Sequence, residues 1–248
     1  MSTGGQPAIE VLGLTFSYPG ATTPVFTNFS LSVPRAARCL LLGANGVGKS
    51  TLLRLVAGRH LIAPEVVSVL GRPAFHDTSL SGDVAFLGGP FPFSADISVA
   101  EILAVRGGVD PARRARVLEI LEVDPAWRMH QVSDGQRRRV QLLLDLERPL
   151  QVILLDEVTA ELDVVSRADL LRFLREQSET QGTTIIYASH VLEGLAAWAT
   201  HLVFLSPEPR RLRYLGPVGG ALQEGESLAT LCERWMGQDR AEDRHEDR

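Results

Sequence analysis

One stretch of the chain has the residue types and spacing of a phosphate-binding loop. Residues 41–55 read LLGANGVGKSTLLRL and contain the only lysine of the chain, Lys49. They fit G-x-x-x-x-G-K-[ST], in which glycines let consecutive backbone N–H groups turn toward phosphate oxygens. The alternative is a glycine-rich turn with an exposed lysine. We predict that the following residues contact phosphate: Gly43, Ala44, Asn45, Gly46, Val47, Gly48, Lys49, Ser50 and Thr51.

A lysine suits such a loop better than an arginine. A compact ammonium group on a flexible side chain can lie along the loop and touch the terminal phosphates, whereas a planar guanidinium fits that path less well. The flanking segments agree, because ARCLLLGA predicts a buried parallel strand and STLLRLVAG predicts a helix that ends at Gly58. Phosphate would then lie at a helix N-terminus, where free N–H groups and the helix dipole favour anions.

Two acidic residues follow a second apolar segment, QVILLDE at residues 151–157. Asp156, at the predicted strand end, can hold Mg²⁺ together with the hydroxyl of Ser50. Glu157 points in a different direction and can accept a proton from the water that attacks a γ-phosphate. The alternative is a pair of solvated acids that end a strand.

A histidine follows another predicted strand, in IIYASH at residues 185–190. The carboxyl ends of parallel strands border the ligand crevice in sheets of this kind. We therefore expect His190 to reach the γ-phosphate or the attacking water, although a lone histidine is commonly an ordinary polar residue.

Bulk composition limits the function classes. The chain has 248 residues, is 45% hydrophobic and has a net charge of -5, so it can bury a large core and has no overall basic field for nucleic acid. Cys39 and Cys232 are far apart without metal-ligand spacing, which favours a reducing compartment. Arg137, Arg138 and Arg139 project in different directions from a predicted helix, so we expect no direct nucleic-acid binding. The segment MSTGGQPAIE lacks the basic and apolar regions of a secretion signal, and no apolar run approaches 18 residues, so we expect the chain to be soluble.

Strand and helix patterns alternate, which predicts an α/β fold with a mainly parallel, doubly wound sheet. IEVLGLTFSY and FTNFSLSV predict an antiparallel addition to that sheet, and HLVFLSP and RLRYLGP predict two edge strands. We predict one domain, with a sheet core at about 8–91 and 149–236 and an inserted helical lobe at about 92–148. Ser98 and Asp110 are expected helix caps in the lobe. The mixed-charge residues 237–248 predict a disordered tail.

The segment VSDGQRRRVQLLL at residues 132–144 opens a predicted helix. Ser133 is a natural N-cap, and Asp134 is favoured there by the helix dipole. Because it precedes an apolar strand with paired acids, the segment resembles the LSGGQ signature of the ATP-binding cassette family. The resemblance covers residues 8 to about 217. It implies that two cassettes pair head to tail and that the signature residues contact the ATP bound by the other copy: Ser133, Asp134, Gly135 and Gln136.

The same resemblance assigns two further residues. Tyr18 matches the aromatic residue that stacks on adenine, an interaction worth about 1 to 3 kcal/mol per base; the alternative is an edge-strand tyrosine. Asp163, in TAELD, matches the aspartate of the loop that crosses the dimer interface.

Three departures from the family pattern are visible. VAFLGGPF has Gly88 and Gly89 where the family commonly has a glutamine that touches Mg²⁺ and whose loop relays motion to a membrane partner. Asp134 replaces a glycine, and its charge next to a γ-phosphate predicts slow hydrolysis. Val158 replaces a common proline, and Glu161 is inserted among small residues.

With these departures, the sequence resembles a group of soluble, transporter-free cassette ATPases. In yeast that group is linked to the CCR-NOT regulator of transcription and mRNA turnover, and its plant relatives belong to subfamily I. The resemblance implies a cytoplasmic or nuclear ATPase that uses ATP and Mg²⁺, forms an ATP-dependent homodimer or a heterodimer with another cassette, and acts on a regulatory complex without direct membrane contact. Two alternatives remain: the ATPase subunit of a transporter with separate membrane subunits, and a slow nucleotide-sensing adaptor.

Overall fold

The computed structural model describes residues 5–89, 95–158, 162–207 and 212–246. The strands are β1 (Ile9–Phe16), β2 (Phe26–Val33), β3 (Arg38–Gly43), β4 (Val67–Val69), β5 (Arg72–Pro73), β6 (Val84–Leu87), β7 (Val152–Asp156), β8 (Thr184–Ala188), β9 (His201–Leu205) and β10 (Leu212–Pro217). The helices are α1 (Lys49–Val56), α2 (Val99–Ala104), α3 (Pro111–Ile120), α4 (Asp134–Leu146), α5 (Val164–Gln181), α6 (Leu195–Trp198), α7 (Val218–Ala221) and α8 (Leu228–Glu246). Within these residues, no helix is both long and apolar enough to cross a membrane.

The central sheet has the strand order β10-β9-β3-β8-β7-β6, and every neighbouring pair is parallel except β10 with β9. Every residue of β3, β7 and β8 is buried, which is why these segments are apolar on both faces. The expected mainly parallel α/β fold is confirmed. The carboxyl ends of β3, β7 and β8 lie side by side, and this edge of the sheet carries the candidate site.

The antiparallel strands form a sheet of their own with the order β2-β1-β4-β5. Their pairing was predicted, but they do not extend the central sheet. The buried residues of β2 are Phe26, Phe29, Leu31 and Val33, and they alternate with exposed residues from Phe29 onward. They belong to the same hydrophobic cluster as the buried side of α1. The second sheet therefore covers α1 instead of adding to an edge.

One of the two predicted edge strands lies inside the sheet. β9 pairs with β3 in parallel, with His201 opposite Cys39, and with β10 on its other side. Its residues 202–205 are buried, as a central position requires. The edge position belongs to β10, whose residues are half-buried or exposed.

Helices α2, α3 and α4 make up the region between β6 and β7, and the described residues there contain no strand longer than a single bridge. The expected caps occur. The hydroxyl of Ser98 accepts from the backbone N–H of Glu101, and the carboxylate of Asp110 accepts from that of Ala112. The fully buried carboxylate of Glu147, at the end of α4, is paired with Arg106, which follows α2, and with Arg114 of α3.

The C-terminal helix continues through the segment predicted to be disordered. α8 runs to Glu246, well beyond Gly237. The reason is a tertiary contact: the buried carboxylate of Asp239 accepts a hydrogen bond from Ser206 Oγ at 2.8 Å and pairs with Arg213. A partnered, buried carboxylate stabilises the helix where sequence composition indicated only solvated charge.

Candidate functional site

The phosphate-loop pattern connects β3 to α1, and its glycines are required by close packing or by a positive φ. Gly43 has φ +140°, and a Cβ there would lie 2.5 Å from the carbonyl oxygen of Leu205. Gly48 has φ +106°, and a Cβ there would lie 2.8 Å from Phe26 Cζ. Gly46 also has a positive φ, of +80°, in open space. The loop can thus turn tightly at the amino end of α1, where backbone N–H groups are free to meet an anion.

Lys49 lies along this loop. Its Nζ donates to the carbonyl oxygens of Gly43 at 2.8 Å and Ala44 at 2.9 Å. Burial lowers the pKa of Lys49 below its ordinary value, and the carboxylates of Glu157 and Asp156 act against that shift. The charged ammonium group is therefore held next to the acids by the loop carbonyls, within reach of a phosphate in the same cleft.

Ser50 and Asp156 meet at the end of β7. Ser50 Oγ donates to Asp156 Oδ1 at 3.0 Å, and Asp156 is only 8% exposed. Hydroxyl and carboxylate oxygens are suitable ligands for Mg²⁺, which is usually held by one or two carboxylates together with phosphate oxygens and water. The described residues contain no group of three or more His, Cys, Asp or Glu that could hold a metal alone. The pair fits a metal that arrives with a nucleotide.

Glu157 and His190 face each other across the cleft. His190 Nδ1 lies 3.4 Å from Glu157 Oε1, and both side chains are accessible. Glu157 has a left-handed backbone, with φ +54°, and its N–H donates to the carbonyl of Ala188 at 2.9 Å. Non-glycine residues with this conformation cluster at functional sites. The open cleft has a volume of about 560 Å³ and is lined by Asn45, Gly46, Gly48, Lys49, Ser50, Thr51, Glu157 and His190.

Not every residue of the predicted loop lines the cleft with its side chain. Val47 is buried in the hydrophobic cluster that includes α1. Its contribution to a phosphate site is therefore limited to its backbone.

Tyr18 lies beside the first turn of α1. Its hydroxyl is hydrogen-bonded to Thr51 Oγ1 at 3.1 Å. Its ring meets Phe16 and His60 edge-on, with centroid distances of 5.2 and 5.5 Å. His60 was not predicted from the sequence. Its contact with Tyr18 joins the segment after α1 to the segment after β1. Together, the two rings fix the orientation of Tyr18 at the border of the site.

The signature segment is built as a helix start. Ser133 Oγ accepts from the backbone N–H of Gln136 at 3.2 Å, and the Gln136 side chain accepts from the N–H of Ser133 at 2.9 Å. The side chain of Asp134 is 99% exposed and lies 4.0 Å from Arg137. Of the described residues, those that line the phosphate-loop cleft include none from 133–136. Within one chain, the signature segment therefore does not line the phosphate-loop cleft.

Asp163 caps α5 and joins it to α4. Its Oδ1 accepts from the N–H groups of Val165 at 2.9 Å and Ser166 at 3.0 Å. Its Oδ2 lies 3.0 Å from a guanidinium nitrogen of Arg139, which also pairs with Glu122. Hydrogen bonds from Ser166 lower the pKa of Asp163 to about 2, and the bond from its hydroxyl has a larger effect than the bond from its N–H. No local sequence pattern indicated the Arg139 contact.

The departures from the family pattern have structural counterparts. Gly88 packs against Asp156, since a Cβ on Gly88 would lie 2.7 Å from Asp156 Cβ. Val158 is buried in the core. Glu161 lies outside the described residues. The glycine at position 88 is thus required by packing, which excludes a glutamine side chain at that position without rearrangement.

Known proteins similar to this chain include members of one family. A family model described as "ABC transporter" matches residues 26–160. The ABC transporter I family member 20 of Arabidopsis thaliana is 42% identical over 95% of this chain and 78% of its own length. CCR4-associated factor 16 of Saccharomyces cerevisiae is 39% identical over 78% of this chain and 73% of its own. The nickel import ATP-binding protein NikO of Rhodobacter capsulatus is 33% identical over 87% and 91%, respectively.

A solved structure shares the fold. It is the dimeric ATP-binding cassette MJ0796 in a post-hydrolysis state bound to ADP and Pi, with a TM-score of 0.71 and 18% identity. The match covers 85% of this chain and 98% of that one.

Proposed function

The chain belongs to the ATP-binding cassette family, and on that premise we propose that it is an ATPase that closes into a head-to-tail dimer on Mg-ATP and acts as a nucleotide switch in a regulatory complex. One observation carries the ATPase part of the proposal. Glu157 and His190 lie 3.4 Å apart in the cleft that also contains Lys49 and Ser50. A base, a charge-stabilising cation and a metal-binding hydroxyl in one cleft match the requirements of phosphoryl transfer to water.

Each residue has a defined part in that chemistry. Lys49 and the loop N–H groups would bind the β- and γ-phosphates, while Ser50 and Asp156 would hold the metal. Bound Mg²⁺ supplies positive charge that offsets the charge on the phosphate oxygens. Glu157 would take the proton of the attacking water. His190 would orient that water and the γ-phosphate, with its Nδ1 side held toward Glu157.

The surface next to Asp163 supports the dimer. Val164 and Val165, which begin α5, are 80% and 68% exposed. Large apolar side chains on an open surface commonly mark a protein interface. Ser133 lies outside the cleft of its own chain, and a second cassette, whether another copy or a different protein, would place its signature residues against the first nucleotide. The similar cassette MJ0796 was solved as a dimer.

The regulatory part of the proposal rests on two observations. The yeast relative is named CCR4-associated factor 16, and it is similar to this chain along most of its length, as is the plant ABC transporter I family member 20. Gly88 and Gly89 occupy the loop that would contact a membrane partner through glutamine. We infer a complex of the CCR-NOT type as the partner and the cytoplasm or nucleus as the location.

A transporter subunit is the second candidate, because relatives such as the nickel import protein are similar along most of the chain. The two functions predict different binding partners for the protein. We would tag it at native expression level and identify what copurifies from soluble and membrane fractions in Mg-ATP. Soluble regulatory subunits support the switch, whereas a stoichiometric multispanning protein would establish a transporter subunit.

The ATPase itself is tested by the Glu157→Gln variant. This change keeps the size of the side chain and removes its capacity to accept a proton. The variant should bind Mg-ATP, release little phosphate and double its mass in light scattering. Absence of both ATP binding and mass increase would exclude the proposed ATPase. A dimer that forms while wild type and Glu157→Gln release phosphate equally slowly would instead identify a nucleotide-sensing adaptor.

A further inference from the structure

The glycine pair after β6 is held by an arginine of α4. Arg138 Nη1 donates to the carbonyl oxygen of Gly89 at 3.0 Å and to Gln141 Oε1, on the same helix, at 2.7 Å. Gly89 has φ +75°, a conformation that side-chain-bearing residues rarely adopt. The guanidinium thus connects the helix that begins with the signature segment to the loop that departs from the family pattern.

The same loop packs against the acid of the metal pair. A Cβ on Gly88 would lie 2.7 Å from Asp156 Cβ and 2.8 Å from Phe86 Cζ. Strands β6 and β7 are paired in parallel up to Leu87 opposite Leu155, so the two segments leave the sheet side by side. Any displacement of Gly88 therefore changes the space available to Asp156.

Asp156 has little freedom to adapt to such a change. It is buried, and its Oδ1 accepts a hydrogen bond from Ser50. In protein interiors, close-packed neighbours transmit small displacements. The contacts form a continuous series from Arg138 through Gly89 and Gly88 to Asp156.

We propose that Arg138 is a positioning residue for Asp156. By holding the carbonyl of Gly89, it keeps Gly88 against the acid, so that the orientation of α4 is linked to the geometry of the Mg²⁺ site through backbone atoms. The guanidinium of Arg138 and the carbonyl of Gly89 thereby link α4 to the metal site, in a loop that has no glutamine. This inference rests on the proposed Mg-ATP site.

A positioning role makes a different prediction from a purely structural one. Loss of a group that orients a metal ligand typically costs about 10- to 100-fold in metal affinity. Arg138 does not line the cleft in which Lys49 and the loop would bind phosphate. The Arg138→Gln variant should therefore need roughly 10-fold more Mg²⁺ for half-maximal ATP binding, while its affinity for ATP in EDTA stays close to that of the parent.

The experiment is a set of calorimetric titrations with ATP at graded Mg²⁺ and in EDTA, in a Glu157→Gln background that prevents turnover. Arg138→Lys should restore most of the Mg²⁺ affinity, because an ammonium group can still donate to Gly89. Gly88→Ala, which pushes on Asp156 directly, should raise the Mg²⁺ requirement with Arg138 intact. The matched control is Arg116→Gln, which removes a two-bond pair between α3 and Glu176 of α5 without touching the loop.

Each outcome decides the question. A selective rise in the Mg²⁺ requirement of Arg138→Gln and Gly88→Ala, absent from the control, supports the positioning role. An unchanged requirement in Arg138→Gln, or an equal loss of ATP affinity with and without Mg²⁺, overturns it. If the parent shows no Mg²⁺-dependent ATP binding, the proposed function itself fails and the inference fails with it.

Discussion

His190 Nδ1 and Glu157 Oε1 are 3.4 Å apart, although the two residues follow different strands. The neighbouring strands β7 and β8 explain this proximity, because Asp156 pairs with Ala188 and the chain continues from each into the cleft. A base that removes a proton from water contributes about 10² to 10⁴ in rate, and a partner that orients the same water acts on the same step.

We therefore expect His190→Gln to lower single-turnover phosphate release by about 10²-fold, with ATP affinity nearly unchanged. Quench-flow measurement of phosphate release would test this. Because the two residues act on one step, Glu157→Gln combined with His190→Gln should be little slower than the slower single variant. Fully multiplicative losses would indicate that His190 and Glu157 act independently.

Lys49→Ala should abolish nucleotide-dependent dimerisation and leave the fold intact. The ammonium group is the strong cation held inside the loop, and it is partly buried, so its removal takes away phosphate binding without opening the core. Lys49→Arg should also bind ATP poorly, because a planar guanidinium does not follow the path of the loop. Equilibrium binding and urea unfolding of both variants would separate these effects. Unchanged ATP affinity in Lys49→Ala would refute the assignment.

Asp163 should make stability depend on pH in the acid range. Its pKa is lowered to about 2 in the folded chain, against about 3.9 for an ordinary aspartate. A carboxylate with a lowered folded pKa stabilises the fold fully above its unfolded pKa, and that contribution is lost as pH falls from about 4 toward about 2. Asparagine can still cap a helix, so the main difference between wild type and Asp163→Asn is the charge of the carboxylate. Their difference in unfolding midpoint should therefore shrink over this window, as the carboxylate becomes protonated.

Urea unfolding at stepped pH would measure this effect. Ser166→Ala is the informative control, because the hydroxyl of Ser166 donates to Asp163 at 2.6 Å and is the main cause of the lowered pKa. In that variant the folded pKa of Asp163 lies closer to its ordinary value, so the loss of stability in acid should be smaller and should be complete at a higher pH. A constant difference between wild type and Asp163→Asn at every pH would rule out a contribution from this carboxylate.

Local sequence patterns predicted the parts of the site that depend on local chemistry. The glycines around Lys49 and the capping residues around Ser133 contact residues that are only a few positions away in the sequence. In the structure, Lys49 contacts Gly43 and Ser133 caps α4. Contacts between distant segments could not be predicted this way. Arg138 reaches Gly89 across 49 positions, and Arg139 reaches Asp163 across 24. The same limit explains the tail, since Asp239 is stabilised by two distant partners, Arg213 on β10 and Ser206 just after β9.

Asp134 offers the sharpest test of how the dimer is regulated. In the single chain its side chain is 99% exposed and at the limit of ion-pair distance from Arg137, so its replacement should change stability little. In the proposed dimer it would face the γ-phosphate of the other site, where two negative charges repel. Asp134→Asn should therefore tighten the ATP-dependent dimer by several-fold, and Asp134→Gly should do so as well.

The effect of Asp134 should also depend on salt. Charge repulsion at an accessible interface is screened as ionic strength rises, with a Debye length of about 8 Å at physiological salt. The gain in dimer affinity of Asp134→Asn over its parent, both in the Glu157→Gln background, should be largest at low salt and decrease as salt is added. Analytical ultracentrifugation in Mg-ATP would measure it. If Asp134→Asn dimerises no more tightly than its parent at low salt, the carboxylate is directed away from the nucleotide, and slow turnover would need another cause.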